Sequence, residues 1–102
     1  MRKPPFVSHY LVLNDLIAEV DVRKFSDNLT YLTSRIENIK LDLVNRGLLF
    51  NEEAKAQSRY SSYKPYVLIR SVENIENAKR LLSEYETEAV QEFLANTARI
   101  AS

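Results

Sequence analysis

Seven apolar residues, Val22, Phe25, Leu29, Leu32, Ile36, Ile39 and Leu43, follow one another at alternating spacings of three and four without a slip. Such spacing draws one stripe along a helix. Read alone, it calls for a single amphipathic helix from about 22 to 46, packed on a core or on a partner as a short heptad seam. Ser26, Asp27 and Asn28 interrupt the run with side chains that favour caps and turns over helix interiors. A break there leaves a short helix at 22–27 and a longer one at 29–46, which is a helix-turn-helix arrangement. Gly47, the only glycine, ends the helix under either reading, because glycine tolerates the left-handed conformation that closes a helix.

The flanking segments are read the same way. Pro4 and Pro5 hold residues 1–7 as an extended basic arm carrying Arg2 and Lys3. Ser8 is placed as the N-cap of a first helix at about 9–20, with Tyr10, Leu13, Leu16, Ile17 and Val20 on its apolar side. Past Gly47, Leu48-Leu49-Phe50 and Tyr66-Val67-Leu68-Ile69 have strand composition. They predict a β-hairpin with strands at about 48–54 and 60–70, Gln57-Ser58 near its tip and Pro65 at the start or edge of the returning strand. Ser71 caps a C-terminal helix whose Ile75, Ala78, Leu82, Tyr85, Ala89 and Phe93 keep helical spacing, and Thr87 can cap a fresh start within it. A second set, Leu81, Val90 and Leu94, widens that stripe beyond what one small neighbour covers.

Composition narrows the functional classes. The 102 residues suit one compact domain, lack cysteine, and contain no apolar run near the ~20 residues that a membrane-spanning helix needs. The N-terminus lacks a signal peptide's apolar core, so a cytoplasmic location is expected. His9 is the only histidine and one glycine cannot build a phosphate-cradling loop, so no catalytic residue, metal, cofactor or small-molecule substrate is inferred and no enzyme is expected. The net charge of zero is unevenly spread. Eleven basic residues against eight acidic give +3 through Val72, and three against six give −3 beyond it.

Within the positive part, residues 54–72 carry Lys55, Arg59, Lys64 and Arg70 among Tyr60, Tyr63 and Tyr66, with no acidic residue. Cations neutralise phosphates and rings stack, so the stretch is a candidate nucleic-acid contact, although the same residues also describe the solvated face of an edge strand. On the helix before Gly47, the side opposite the stripe carries Tyr31, Ser34, Asn38, Leu41 and Asn45, flanked by Thr30 and Arg35. Asparagine and arginine can read base edges in the major groove. Glu37 and Asp42 lie near the same surface and would repel phosphate, and Leu41 there is equally suited to a protein contact.

The string LTSRIENIK followed by NRG is similar to the Ser-Arg-Ile and terminal-glycine pattern of small helix-turn-helix domains common in phage and prophage proteins, and the order of elements resembles a winged-helix domain over residues 8 to 70. The chain departs from that pattern by about one extra helical turn between Ile36 and Gly47. The resemblance implies an α+β winged helix-turn-helix fold with residues 8–72 as its core. The acidic segment 73–102 lies outside the likeness and is read as a helical dimerisation segment, such as winged-helix regulators often append. The resemblance implies a homodimeric duplex DNA-binding protein, a small transcriptional regulator or mobile-element accessory factor. Thr33, Ser34, Arg35 and Asn38 would then lie on the recognition helix and Lys55, Arg59 and Lys64 would form the wing, while the helix face and the basic stretch add Thr30, Tyr31 and Tyr63 as expected DNA contacts. Leu81, Leu82, Tyr85, Val90, Phe93 and Leu94 would form the dimer interface, and Arg2 and Lys3 would suit a minor-groove arm. From another class comes a helical assembly or adaptor module without DNA binding, which the unbroken stripe and zero net charge favour.

Overall fold

The computed structural model describes residues 4–24, 30–33, 35–51 and 65–101, and the side chains of all of these except 24 and 97–101. Its elements are α1 (Val7–Ile17), a 3₁₀ turn (Val22–Lys24), α2 (Ile36–Asn45), α3 (Val72–Tyr85) and α4 (Glu88–Ala101). α1 is the central helix, packing on α3, α2 and the 3₁₀ turn. Its Val12, Leu13 and Leu16 meet Val22, Tyr31, Ile39, Leu43, Leu48, Phe50, Leu68, Ala78, Leu81 and Tyr85 in one core.

The α+β winged helix is overturned: the described residues are helical and contain no strand. Where strands were expected, Phe50 and Leu68 form an isolated antiparallel bridge, closed by Asn51 N–H to the Val67 carbonyl (2.7 Å) and Ile69 N–H to the Leu49 carbonyl (3.0 Å). Residues 52–64, which include most of the expected hairpin, lie outside the described residues. Asn74 limits the ladder on the other side. From the first turn of α3, its buried amide accepts from Leu49 N–H (2.9 Å) and donates to the carbonyls of Leu49 (2.9 Å) and Ile69 (2.8 Å). A side chain thus takes backbone groups that a longer ladder would pair.

The long stripe does not form one helix either. Among the described residues of the stripe only Ile36–Asn45 is α-helical, and the expected break at 26–28 lies outside the described residues. Residues 30–33 leave helical geometry because Tyr31, assigned by spacing to the outer face, is a core residue whose hydroxyl donates to Asp15 on α1 (2.7 Å). Leu32 takes a left-handed φ of 58°, and Thr33 Oγ1 accepts the Arg35 N–H (3.1 Å), a local bond that competes with helix. Ser8 is inside α1 rather than its cap, donating instead to the Leu32 carbonyl (3.3 Å), and Phe6 is the N-cap at φ 69°. Ser71 and Thr87 do cap, accepting from Asn74 N–H and Val90 N–H (both 3.2 Å).

Two helices close in the same way. Gly47 N–H bonds the Val44 carbonyl (3.0 Å) and Leu48 N–H that of Leu43 (3.1 Å). Glu19 and Val20 repeat the pattern on Leu16 (3.2 Å) and Asp15 (2.9 Å) after α1. These are Schellman closures with a left-handed residue in the key position: Gly47 at φ 100° and Glu19 at φ 64°. Arg70 braces the second, donating to the Ile17 carbonyl (3.1 Å) and pairing with Glu19 (3.4 Å).

Two predictions separate these contributions. Asn74→Asp retains an acceptor for Leu49 N–H but sets a carboxylate against two carbonyls, and Asn74→Ala abandons all three bonds. Both should cost on the order of 3 kcal/mol or more, read as a lower denaturation midpoint, with the aspartate at least as damaging as the alanine. Beyond its two chain neighbours, no heavy atom of the described residues lies within 4 Å of a Cβ added to Gly47, so Gly47→Ala is penalised by conformation rather than by a clash. It should lose roughly 1 kcal/mol, whereas Glu19→Gly should gain up to about that amount because the exposed pair it sacrifices is worth little.

Candidate nucleic-acid interface

α2 buries Ile39 and Leu43 and turns Arg35, Glu37, Asn38, Leu41, Val44 and Asn45 outward. Arg35 stands at the N-cap, and Asn38 lies in the first turn. Together with Thr33, these residues line a cleft of about 390 Å³ whose other side includes Pro4, Pro5 and His9. The end of the N-terminal arm therefore meets the start of α2.

Asp42 organises the flank of this face. Its Oδ2 accepts from His9 Nε2 (3.0 Å) and from Arg46 Nε (3.2 Å). A carboxylate only accepts, so His9 carries its proton on Nε2. Asp42 therefore meets a positively charged partner rather than standing alone beside any approaching phosphate. The hydrogen bond from Arg46 to Asp42 raises the guanidinium pKa above its ordinary value. Phe6 stacks on Tyr85 (5.2 Å between centroids, 20°) and meets the edge of His9 (5.3 Å, 77°), while Arg46 lies 5.7 Å from the centroids of both Phe6 and Tyr85. His9, singled out in the sequence only as a lone histidine, thus joins α1 to α2 and α3.

A second cationic group surrounds Tyr66. Arg23 lies 5.0 Å and Lys40 5.7 Å from its ring centroid, and Lys40 is also 5.3 Å from that of Phe50. No spacing in the sequence announces this group, because it joins the 3₁₀ turn, α2 and the segment before α3.

The residues expected to contact DNA are divided by this arrangement. Arg35 and Asn38 are exposed, Thr30 is exposed outside any helix, and Thr33 is half-buried with its hydroxyl on Arg35 N–H. Tyr31 is corrected to a core residue, with 1% of its surface exposed and its hydroxyl committed to Asp15. Ser34, Lys55, Arg59, Tyr63 and Lys64 lie outside the described residues. Among the expected dimer residues, Leu81, Tyr85 and Val90 are buried within the single chain, whereas Leu82, Phe93 and Leu94 are half-buried. Among the described residues no three His, Asp or Glu side chains could hold a metal ion, and no helix is long and apolar enough to cross a membrane.

Burial, aided by the Asp15 carboxylate, raises the Tyr31 pKa, and burial raises that of Tyr85. A phenol whose folded pKa exceeds its unfolded value of about 10 contributes full stability below that value and loses it as pH rises through the folded pKa. Stability should therefore fall above about pH 10, and Tyr31→Phe should flatten the fall when denaturation midpoints are measured across that range. Comparison of the chain with models of protein families, with curated proteins and with solved structures finds no match.

Proposed function

We propose that the chain is a small cytoplasmic regulator that binds duplex DNA through the outward face of α2. The observation that carries this reading is the exposed series of Arg35 at the N-cap of α2 and Asn38 and Asn45 along its ten residues, with neighbouring Asp42 paired with Arg46. A helix about 10–12 Å across and about 15 Å long enters a major groove about 12 Å wide. There Arg35 suits guanine or phosphate and Asn38 suits adenine. The reading requires no wing.

Homodimerisation belongs to the same proposal, with α4 as the pairing element. Its Val90 is buried in the chain, while Phe93 and Leu94 keep part of their surface in solvent. Those two residues, with Leu82 on α3, are the expected dimer residues that retain exposed surface. A second reading, assembly with a protein partner, is favoured by one observation: Leu41 and Leu49 are 58% and 56% exposed.

Fluorescence anisotropy with labelled mixed-sequence duplexes at several salt concentrations tests the first reading. Arg35→Ala should weaken binding about tenfold or more, Asn38→Ala should relax discrimination at one base position by about 1–3 kcal/mol, and Glu37→Gln should tighten binding. Absence of salt-sensitive binding by the unmodified chain rejects it. If light scattering then detects a heteromeric complex that Leu41→Glu abolishes, the assembly reading takes its place.

A further inference from the structure

We propose that Arg46 is a phosphate anchor for the backbone of the duplex bound by α2, and that Asp42, Phe6 and Tyr85 are its positioning residues. The proposal rests on the DNA reading and adds a contact that the sequence pattern did not include. Arg46 follows the last residue of α2 and lies eleven positions beyond Arg35. At 100° and 1.5 Å per residue, that separation is about 20° past three full turns and about 16 Å along the axis. The two arginines therefore mark opposite ends of one flank of the helix, beside Asn38 and Asn45. A groove-bound helix meets a phosphate strand along such a flank.

The local geometry favours a fixed arginine. Arg46 Nε donates to Asp42 Oδ2 at 3.2 Å, and the guanidinium carbon lies 5.7 Å from the centroids of both Phe6 and Tyr85. Those rings are themselves stacked, at 5.2 Å and 20°. The side chain is 39% exposed. Using Nε for Asp42 leaves the two Nη groups to form the bidentate fork that matches a phosphate's oxygens. Because Asp42 and the rings already restrict the rotamers, less conformational freedom is lost when a phosphate arrives. The charged and titratable groups around this arginine are Asp42 on α2, His9 on α1, and Tyr85 and Glu84 on α3. His9 donates to the same Asp42 oxygen, so the carboxylate is held from two sides.

The experiment measures duplex affinity against salt for the full chain and for Arg46→Ala, Arg46→Lys and Asp42→Asn, with a thermal melt of each. A phosphate anchor predicts that Arg46→Ala reduces the slope of log K against log salt by about 0.9, the loss of one phosphate contact. Arg46→Lys should retain the slope and lose affinity several-fold, because a point charge replaces the fork. Asp42→Asn should also retain the slope but weaken binding, although it removes a negative charge that unaided electrostatics would have the duplex avoid. If the unmodified chain binds with a normal salt slope that Arg46→Ala leaves unchanged, the anchor is overturned and the DNA reading stands. If the unmodified chain does not bind duplex at any salt, both are overturned. A lower melting temperature for Arg46→Ala with the slope intact assigns the residue a purely structural role and also rejects the anchor.

Discussion

The Asn74 side chain connects the helical layer to the extended chain, and the rest of the arrangement depends on that connection. Its amide is buried and meets Leu49 through both a donor and an acceptor, while its second N–H reaches the Ile69 carbonyl. One residue therefore satisfies backbone groups on two separate segments that would otherwise need a sheet. The Phe50–Leu68 bridge forms beside it and points both side chains into the core. With these segments fixed, Leu48 follows the Gly47 closure into the core, and α2 is held at its C-terminal end.

Asp42 performs the corresponding task on the outside. Placed on α2, it draws together His9 from α1 and Arg46 from the end of its own helix, and the aromatic rings of Phe6 and Tyr85 pack around that pair. Considered in isolation, an aspartate beside the polar face argues against a nucleic-acid contact. Pairing with Arg46 removes that objection, because the Asp42–Arg46 pair carries no net charge.

Local rules identified the helix ends better than the helix extents. Ser71, Thr87 and Gly47 act where they stand because a cap is a bond between a side chain or a left-handed residue and the nearest backbone. Leu82, Ile75 and Ala78 were likewise legible as an apolar side of α3, and Asn38 as an exposed residue of α2. The stripe from Val22 to Leu43 misled because periodicity cannot show that Tyr31, off the stripe, would be buried against α1 and bonded to Asp15. Leu32 accepts a left-handed backbone there because the packed tyrosine and the Ser8 bond fix the segment around it. The expected hairpin had the right composition at Phe50 and Leu68. At the end away from the expected tip, an asparagine takes over the backbone groups of Leu49 and Ile69, and its importance lies in partners up to 25 residues away.

The amino-acid sequence by itself determined the start of α3, the closure at Gly47, the polar face of α2, and a chain with neither cysteine nor a histidine pair. Those properties depend on residues within a turn or two of one another. Tertiary structure alone decided that Tyr31 is core, that Leu81, Tyr85 and Val90 are buried in the single chain, and that Arg46 is held between a carboxylate and two rings. Each of these outcomes depends on which distant surfaces meet, and burial of apolar area across such contacts outweighs the propensities of a few residues.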